Sequence, residues 1–140
     1  MAARCWPAAE QEAATLSAHN ALLHLGRTFK LMKTTVLNEN RDFRRVYGRG
    51  KSNVNPALVS YVTKGRAGFC RVGITAGKKI GTAVKRNRAK RIIREAFRAL
   101  SPRITGSFDI VFVARAKTPY KKSGDILKIM EAQLKTLGVL

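Results

Sequence analysis

Lys85-Arg86-Asn87-Arg88-Ala89-Lys90-Arg91-Ile92-Ile93-Arg94 lays a dense run of cations over an apolar stripe of helical spacing. Ala89, Ile92, Ile93, Ala96, Phe97 and Leu100 recur at i, i+3, i+4, i+7, i+8 and i+11. At about 100° per residue they form one narrow face. Asn87, Arg91, Arg94 and Arg98 fall on the opposite face. The stretch therefore predicts a rigid basic helix, capped by Thr82 and stopped by Ser101-Pro102. Lys85, Arg86 and Arg88 sit near its N-terminus, where the macrodipole disfavours each cation by about 0.3–1 kcal/mol. A polyanion relieves that conflict. Solvated surfaces ordinarily intersperse both signs, and here only Glu95 interrupts the run.

The whole chain carries 28 Lys plus Arg against 8 Asp plus Glu, a formal charge of +20 on 140 residues. Such a field attracts the phosphates of nucleic acid. Hydrophobic residues make up 45% of the chain, too many for a disordered basic tail, so the charge belongs on the surface of a folded domain. Cys5 and Cys70 have no zinc-site spacing, and Cys70 falls in a strand-like run where a buried free thiol is expected. A reducing, cytoplasmic setting fits. No apolar run reaches the length of a membrane span, and Ala21 to Leu25, broken by His24, is too short for a signal core.

Composition changes near Met32. Arg4, Arg27 and Lys30 against Glu10 and Glu12 leave residues 1–31 with +1 of the +20, and the remaining residues with +19. This Ala-rich segment has a marginal helical pattern from Pro7 to Leu25, lacks the acid-poor, Arg-rich character of a transit peptide, and carries His19 and His24 as surface residues. The expectation is a domain over 32–140, preceded by an extension over 1–31 that is disordered or reflects a mis-assigned start.

Within the domain, Asn40-Arg41-Asp42 predicts the cap of a short helix with Phe43, Val46 and Tyr47 on one side and Gly48 and Gly50 at its end. Asn53 to Pro56 reads as a turn. Ala57 to Thr63 and Phe69 to Thr75 alternate with period two and suggest a hairpin closed by Lys64 to Gly68. Leu58, Ser60 and Val62 face one way, Val59, Tyr61 and Thr63 the other. Phe108 to Ala114 is an apolar run suited to a strand covered on both sides. A last helix over Tyr120 to Leu137 buries Ile126, Ile129, Met130, Leu134 and Leu137. The order αβββαβα implies an α+β sandwich, helices packed on a mixed sheet.

Protein-borne catalysis has little to work with. Ala76-Gly77-Lys78-Lys79-Ile80-Gly81-Thr82 lacks the order of a nucleotide phosphate loop and reads as a basic turn. The domain's six acidic residues, Glu39, Asp42, Glu95, Asp109, Asp125 and Glu131, are scattered, and no histidine follows residue 24. No catalytic or metal-ligating residue is expected. A catalytic step must come from a partner.

Lys78-Lys79-Ile80-Gly81-Thr82-Ala83-Val84-Lys85-Arg86-Asn87-Arg88-Ala89-Lys90-Arg91-Ile92-Ile93-Arg94-Glu95-Ala96-Phe97 resembles the signature region of the protein subunit of bacterial ribonuclease P. Asn40-Arg41-Asp42-Phe43-Arg44-Arg45-Val46-Tyr47, Arg71-Val72-Gly73-Ile74-Thr75 and Asp109-Ile110-Val111-Phe112-Val113-Ala114-Arg115 extend the resemblance over Met32 to Leu137. It implies a ribonucleoprotein endonuclease, a hydrolase of tRNA processing that removes the 5′ leader of precursor tRNA. The catalytic RNA subunit and its Mg2+ ions would do the chemistry. Residues carried over to RNA-subunit binding are Lys85, Arg86, Asn87, Arg88, Lys90, Arg91 and Arg94; those carried over to a leader-binding cleft are Phe43, Tyr47, Ser52, Val59 and Tyr61. The resemblance also implies a left-handed βαβ crossover, against the usual hand. Partners would be the RNA subunit and precursor tRNA, with no membrane and no obligate protein partner.

The chemistry suits that division. Aromatic faces stack bases of any sequence for about 1–3 kcal/mol per base, and cations hold phosphates. Taken alone, Phe43 and Tyr47, as i and i+4 aromatics, fit a core better than a ligand. Lys121 and Lys122 read either as phosphate contacts or as solvated surface. Two other classes share the basic charge. One is a structural ribosomal protein, which needs no cleft; the other is a helix-turn-helix DNA binder, which needs a helix just before the basic one.

Overall fold

The computed structural model describes residues 33–65 and 68–140. They form five strands and three helices, β1 (Lys33–Val36), α1 (Asn40–Arg49), β2 (Lys51–Val54), β3 (Leu58–Lys64), β4 (Phe69–Ala76), α2 (Ala83–Leu100), β5 (Phe108–Ala114) and α3 (Ser123–Thr136). The order βαβββαβα adds one strand in front of the expected αβββαβα. That strand, Lys-Thr-Thr-Val, pairs with β4 alone among the described strands, and its Val36 is exposed, so it carries no burial pattern to betray it. The expected extension over 1–31 lies outside the described residues.

The sheet order is β1-β4-β5-β3-β2. β1 and β5 flank β4 in parallel, while β3 runs antiparallel to both β5 and β2. β3 and β4 are therefore not the expected hairpin: β5 lies between them and takes an edge of each. β2 extends into the predicted turn, which tightens to Asn55-Pro56, where Asn55 Oδ1 accepts from the Ala57 amide at 3.0 Å. β4, α2 and β5 make a parallel β-α-β passage, the unit to which the expected left-handed crossover refers.

Burial follows the alternation along β3. Leu58 and Val62 join Cys70, Val72, Ile110 and Phe112 in a core closed by α2 and α3. From α2 come Ala89, Ile93, Ala96, Phe97 and Leu100, with Ile92 partly buried beside them; from α3 come Ile126, Met130 and Leu134. Phe97 and Phe112 meet at 5.7 Å between centroids. Ser60, facing this core, donates to Gln133 Oε1 at 2.6 Å, and Gln133 Nε2 returns bonds to the Leu58 and Asn53 carbonyls. The polar pair thus pins α3 to β3 with no buried group of either side chain left over.

The helix ends decide how the elements are aimed. Thr82 caps α2 as expected, its hydroxyl accepting from the Lys85 amide. Gly81 ahead of it has φ +117°, a conformation open to glycine and strained for other residues. α1 differs from expectation: Glu39 holds the cap position without a side-chain bond, and Asn40 to Asp42 form the first turn. Asp42 is drawn inward to an ion-pair cluster. α3 starts at Ser123, because Thr118–Tyr120 form a separate 3-10 turn anchored by the buried Thr118, whose hydroxyl donates to the Ala57 carbonyl.

Candidate nucleic-acid interface

α1 lies across the sheet face opposite α2 and α3. Residues matched in register share a face, so Val59, Tyr61 and Thr63 of β3 line up with Val113, Val111 and Asp109 of β5 and with Thr75, Gly73 and Arg71 of β4. Phe43 packs on Gly73, where an added Cβ would lie 2.5 Å from the ring. Glycine there brings α1 down onto the sheet. One turn on, Tyr47 stands edge-on to Tyr61 with centroids 5.0 Å apart, and its hydroxyl is 3.2 Å from Thr75 Oγ1.

All five expected leader residues therefore reach one face. Tyr47 is 41% exposed, Ser52 is exposed opposite Tyr61, Phe43 and Tyr61 are half-buried, and Val59 is buried as part of the floor. Exposed Val54, paired with Val59, and half-buried Thr75 and Val113 join them. Only the strand register reveals these three, since they come from separate strands.

A four-member ion cluster fixes α1 over this face. Arg71 donates from Nε and Nη2 to Asp109 at 2.7 and 2.6 Å and from Nη1 to Asp42 at 2.8 Å. Arg45 joins both carboxylates, at 3.1 Å to Asp42 and 2.7 Å to Asp109. Chiefly through the Asp109 bond, the Arg71 guanidinium is held above its already high range. The acidic residues are thus not all scattered, but the pair that meets is engaged by guanidinium and offers no free oxygen-rich cradle to a cation. Among the described residues no group of three or more potential metal ligands exists.

The other charged surface is α2. Of its cations only Arg98 meets a carboxylate among the described residues, Glu95 at 3.5 Å. An open groove of about 1020 Å³ runs beside the helix, lined by Asn87, Arg88, Arg91 and Arg94 among others, with Lys121, Lys122 and Ser123 also contributing. Arg86 and Lys90 are outside the groove lining and half-buried. Arg86 Nη1 turns back to the Gly81 carbonyl at 2.6 Å, Arg88 Nε reaches the Pro119 carbonyl at 3.0 Å, and Lys85 Nζ meets the Tyr120 hydroxyl at 2.9 Å. These bonds fasten the start of α2 to its flanking loops. The strands on either side of α2 exclude a helix-turn-helix.

A cationic helix on one face of the sheet and an aromatic strip on the other define a basic α+β protein of the RNA-binding class. The family model described as Ribonuclease P matches residues 31–138. The chain belongs to the bacterial ribonuclease P protein family, the protein component of an endoribonuclease ribonucleoprotein of tRNA 5′ processing. It is 39% identical over 109 residues to the ribonuclease P protein component of Clostridium botulinum, covering 77% of this chain and 98% of that one. The protein component of Clostridioides difficile is 40% identical over 108 residues, covering 76% and 95%. Among solved structures, the Staphylococcus aureus RNase P protein superposes with a TM-score of 0.67 at 34% identity, covering 76% of this chain and 98% of that one. These matches set aside the ribosomal-protein alternative. No helix among the described residues is long and apolar enough to cross a membrane.

Proposed function

We propose that the two faces divide the work of the subunit. α2 and its groove hold the catalytic RNA, through Lys85, Arg86, Asn87, Arg88, Lys90, Arg91 and Arg94. The strip of Phe43, Tyr47, Ser52, Val59 and Tyr61 receives the single-stranded 5′ leader of precursor tRNA. Mg2+ and the hydrolytic step belong to the RNA subunit, in the cytoplasm, and the protein's cations lower the magnesium that assembly requires. One observation carries this reading: the cations of α2 other than Arg98 face no carboxylate among the described residues, whereas on the sheet's opposite face Arg45 and Arg71 are engaged by Asp42 and Asp109. Uncompensated charge suits phosphates; a strip of aromatic faces suits bases of any sequence.

The test is cleavage of precursor tRNA by the cognate RNA at limiting magnesium, with and without the protein. RNA-free protein alone is expected to be inactive. The variant Arg91→Ala/Arg94→Ala, which loses no hydrogen bond or ion pair among the described residues, is expected to weaken RNA-subunit binding and to lower its salt slope by roughly 1.5. Tyr47→Ala/Tyr61→Ala, once shown to be folded, is expected to assemble and yet lose the preference for a several-nucleotide leader over a minimal one. A folded tyrosine variant that keeps this preference overturns the cleft assignment.

A further inference from the structure

The groove beside α2 has an apolar rim as well as charged walls. Tyr120, at the end of the 3-10 turn ahead of α3, is 72% exposed, and Val84, in the first turn of α2, is 77% exposed. Val84 lines the groove, and Tyr120 adjoins its lining residue Lys121. Tyr120 is tied to α2 through its hydroxyl, which meets Lys85 Nζ at 2.9 Å. The same ammonium is 5.5 Å from the ring centroid. A cation above the face would be nearer the centroid than the hydroxyl; this one sits off the hydroxyl end and leaves both faces clear of it. No other aromatic ring among the described residues packs on Tyr120. The ring is therefore held in place at its edge while its stacking surface stays open.

We propose that Tyr120 and Val84 seat one unpaired base of the catalytic RNA, while Arg88 and Arg91 on one wall and Lys121 and Lys122 on the other hold the phosphates beside it. The inference rests on the reading that α2 faces the RNA subunit. Charge complementarity selects that occupant: the groove is continuous with the cationic face of α2, and Glu95 is the one acid lining it. Lys121 and Lys122 thereby become phosphate contacts and not idle surface.

The experiment measures binding of the full-length chain to the cognate RNA subunit across a salt series, with acylation of the RNA 2′-hydroxyls as a map. Loss of one base–aromatic stack in Tyr120→Ala is expected to weaken binding by about 5- to 150-fold with an unchanged salt slope, because no charge is removed. Tyr120→Phe is expected to restore the affinity. One unpaired nucleotide protected in the native complex is expected to become reactive in Tyr120→Ala. Lys121→Ala/Lys122→Ala is expected to flatten the slope; an unaltered slope overturns the phosphate half of the proposal. Unchanged affinity in Tyr120→Ala overturns the base site. So does a Tyr120→Phe variant as weak as Tyr120→Ala, since only the hydroxyl bond to Lys85 would then matter. A raised KM for precursor tRNA with intact RNA-subunit affinity assigns the base to the substrate and overturns it too. Arg91→Ala/Arg94→Ala is the control for the parent reading. If that variant binds weakly while Tyr120→Ala binds normally, the base site alone falls; if both bind normally, the RNA-facing role of α2 falls with it.

Discussion

Asp109→Asn removes charge from the carboxylate that joins α1 to the centre of the sheet while keeping its shape. The side chain is 1% exposed and accepts two bonds from Arg71 and one from Arg45. After the substitution both guanidiniums depend on Asp42 alone, and an arginine does not escape by giving up its proton. Stranding a buried partner of a broken ion pair costs about 3–5 kcal/mol. The guanidinium side chains here retain 21% and 38% exposure, so water screens part of the loss and about 3 kcal/mol is expected. With a urea dependence of about 1–3 kcal/mol per M, the unfolding midpoint falls by about 1–3 M. Asp109→Leu combined with Arg71→Met, which removes both charges, is expected to recover part of the loss. A single-variant cost below about 1 kcal/mol, or a double variant no more stable than the single one, refutes the account of what secures α1.

Gly73→Ala drives a methyl group into the Phe43 ring, at 2.5 and 2.7 Å from two of its carbons, and is expected to cost about 1–3 kcal/mol in urea unfolding and to weaken leader preference as α1 lifts. Burial, then the neighbouring Asp109 charge, pushes the Cys70 thiol up to about 11 from 9.0; native protein at pH 8 is therefore expected to resist iodoacetamide until denaturant is added. The raised value means this thiol's contribution to stability is full below pH 9 and is lost as pH rises toward 11, a loss that a Cys70→Ser variant should not share in alkaline unfolding curves. A protein beginning at Met32 is expected to keep RNA affinity and cleavage stimulation within twofold, because +19 of the charge lies beyond residue 31; a tenfold fall in affinity would assign residues 1–31 a part in binding.

The elements legible in the sequence are those whose burial is one-sided. α2 shows a 3.6-residue stripe because one flank meets the core and the other meets none, and β3 shows alternation because its two faces meet different helices. A β3–β4 hairpin does not form because β5 comes between the two; a short loop between two alternating runs says that the strands are near each other and not that they pair. Asp42 and Asp109 look scattered because they stand on α1 and β5, and Arg71 of β4, with Arg45, is what joins them. Within Phe108 to Ala114 the hydrophobic neighbours conceal an aspartate that is as buried as they are. Thr75, Val113 and Val54 carry no sequence signal for a similar reason: membership of the aromatic face depends on strand register, which no local pattern encodes.

The central position of β5 also governs when the polypeptide can acquire its shape during synthesis. β3 and β4 leave the ribosome well before β5, each with an edge that only β5 will cover. A nascent chain ending before residue 108 thus holds two half-sheets without the strand that joins them, and pairing is deferred until a distant segment arrives, a topology that slows folding. Open strand edges invite association between copies. The positive charge suited to RNA serves a second purpose in that interval, because it makes incomplete chains repel one another while they wait for the strand that closes the sheet.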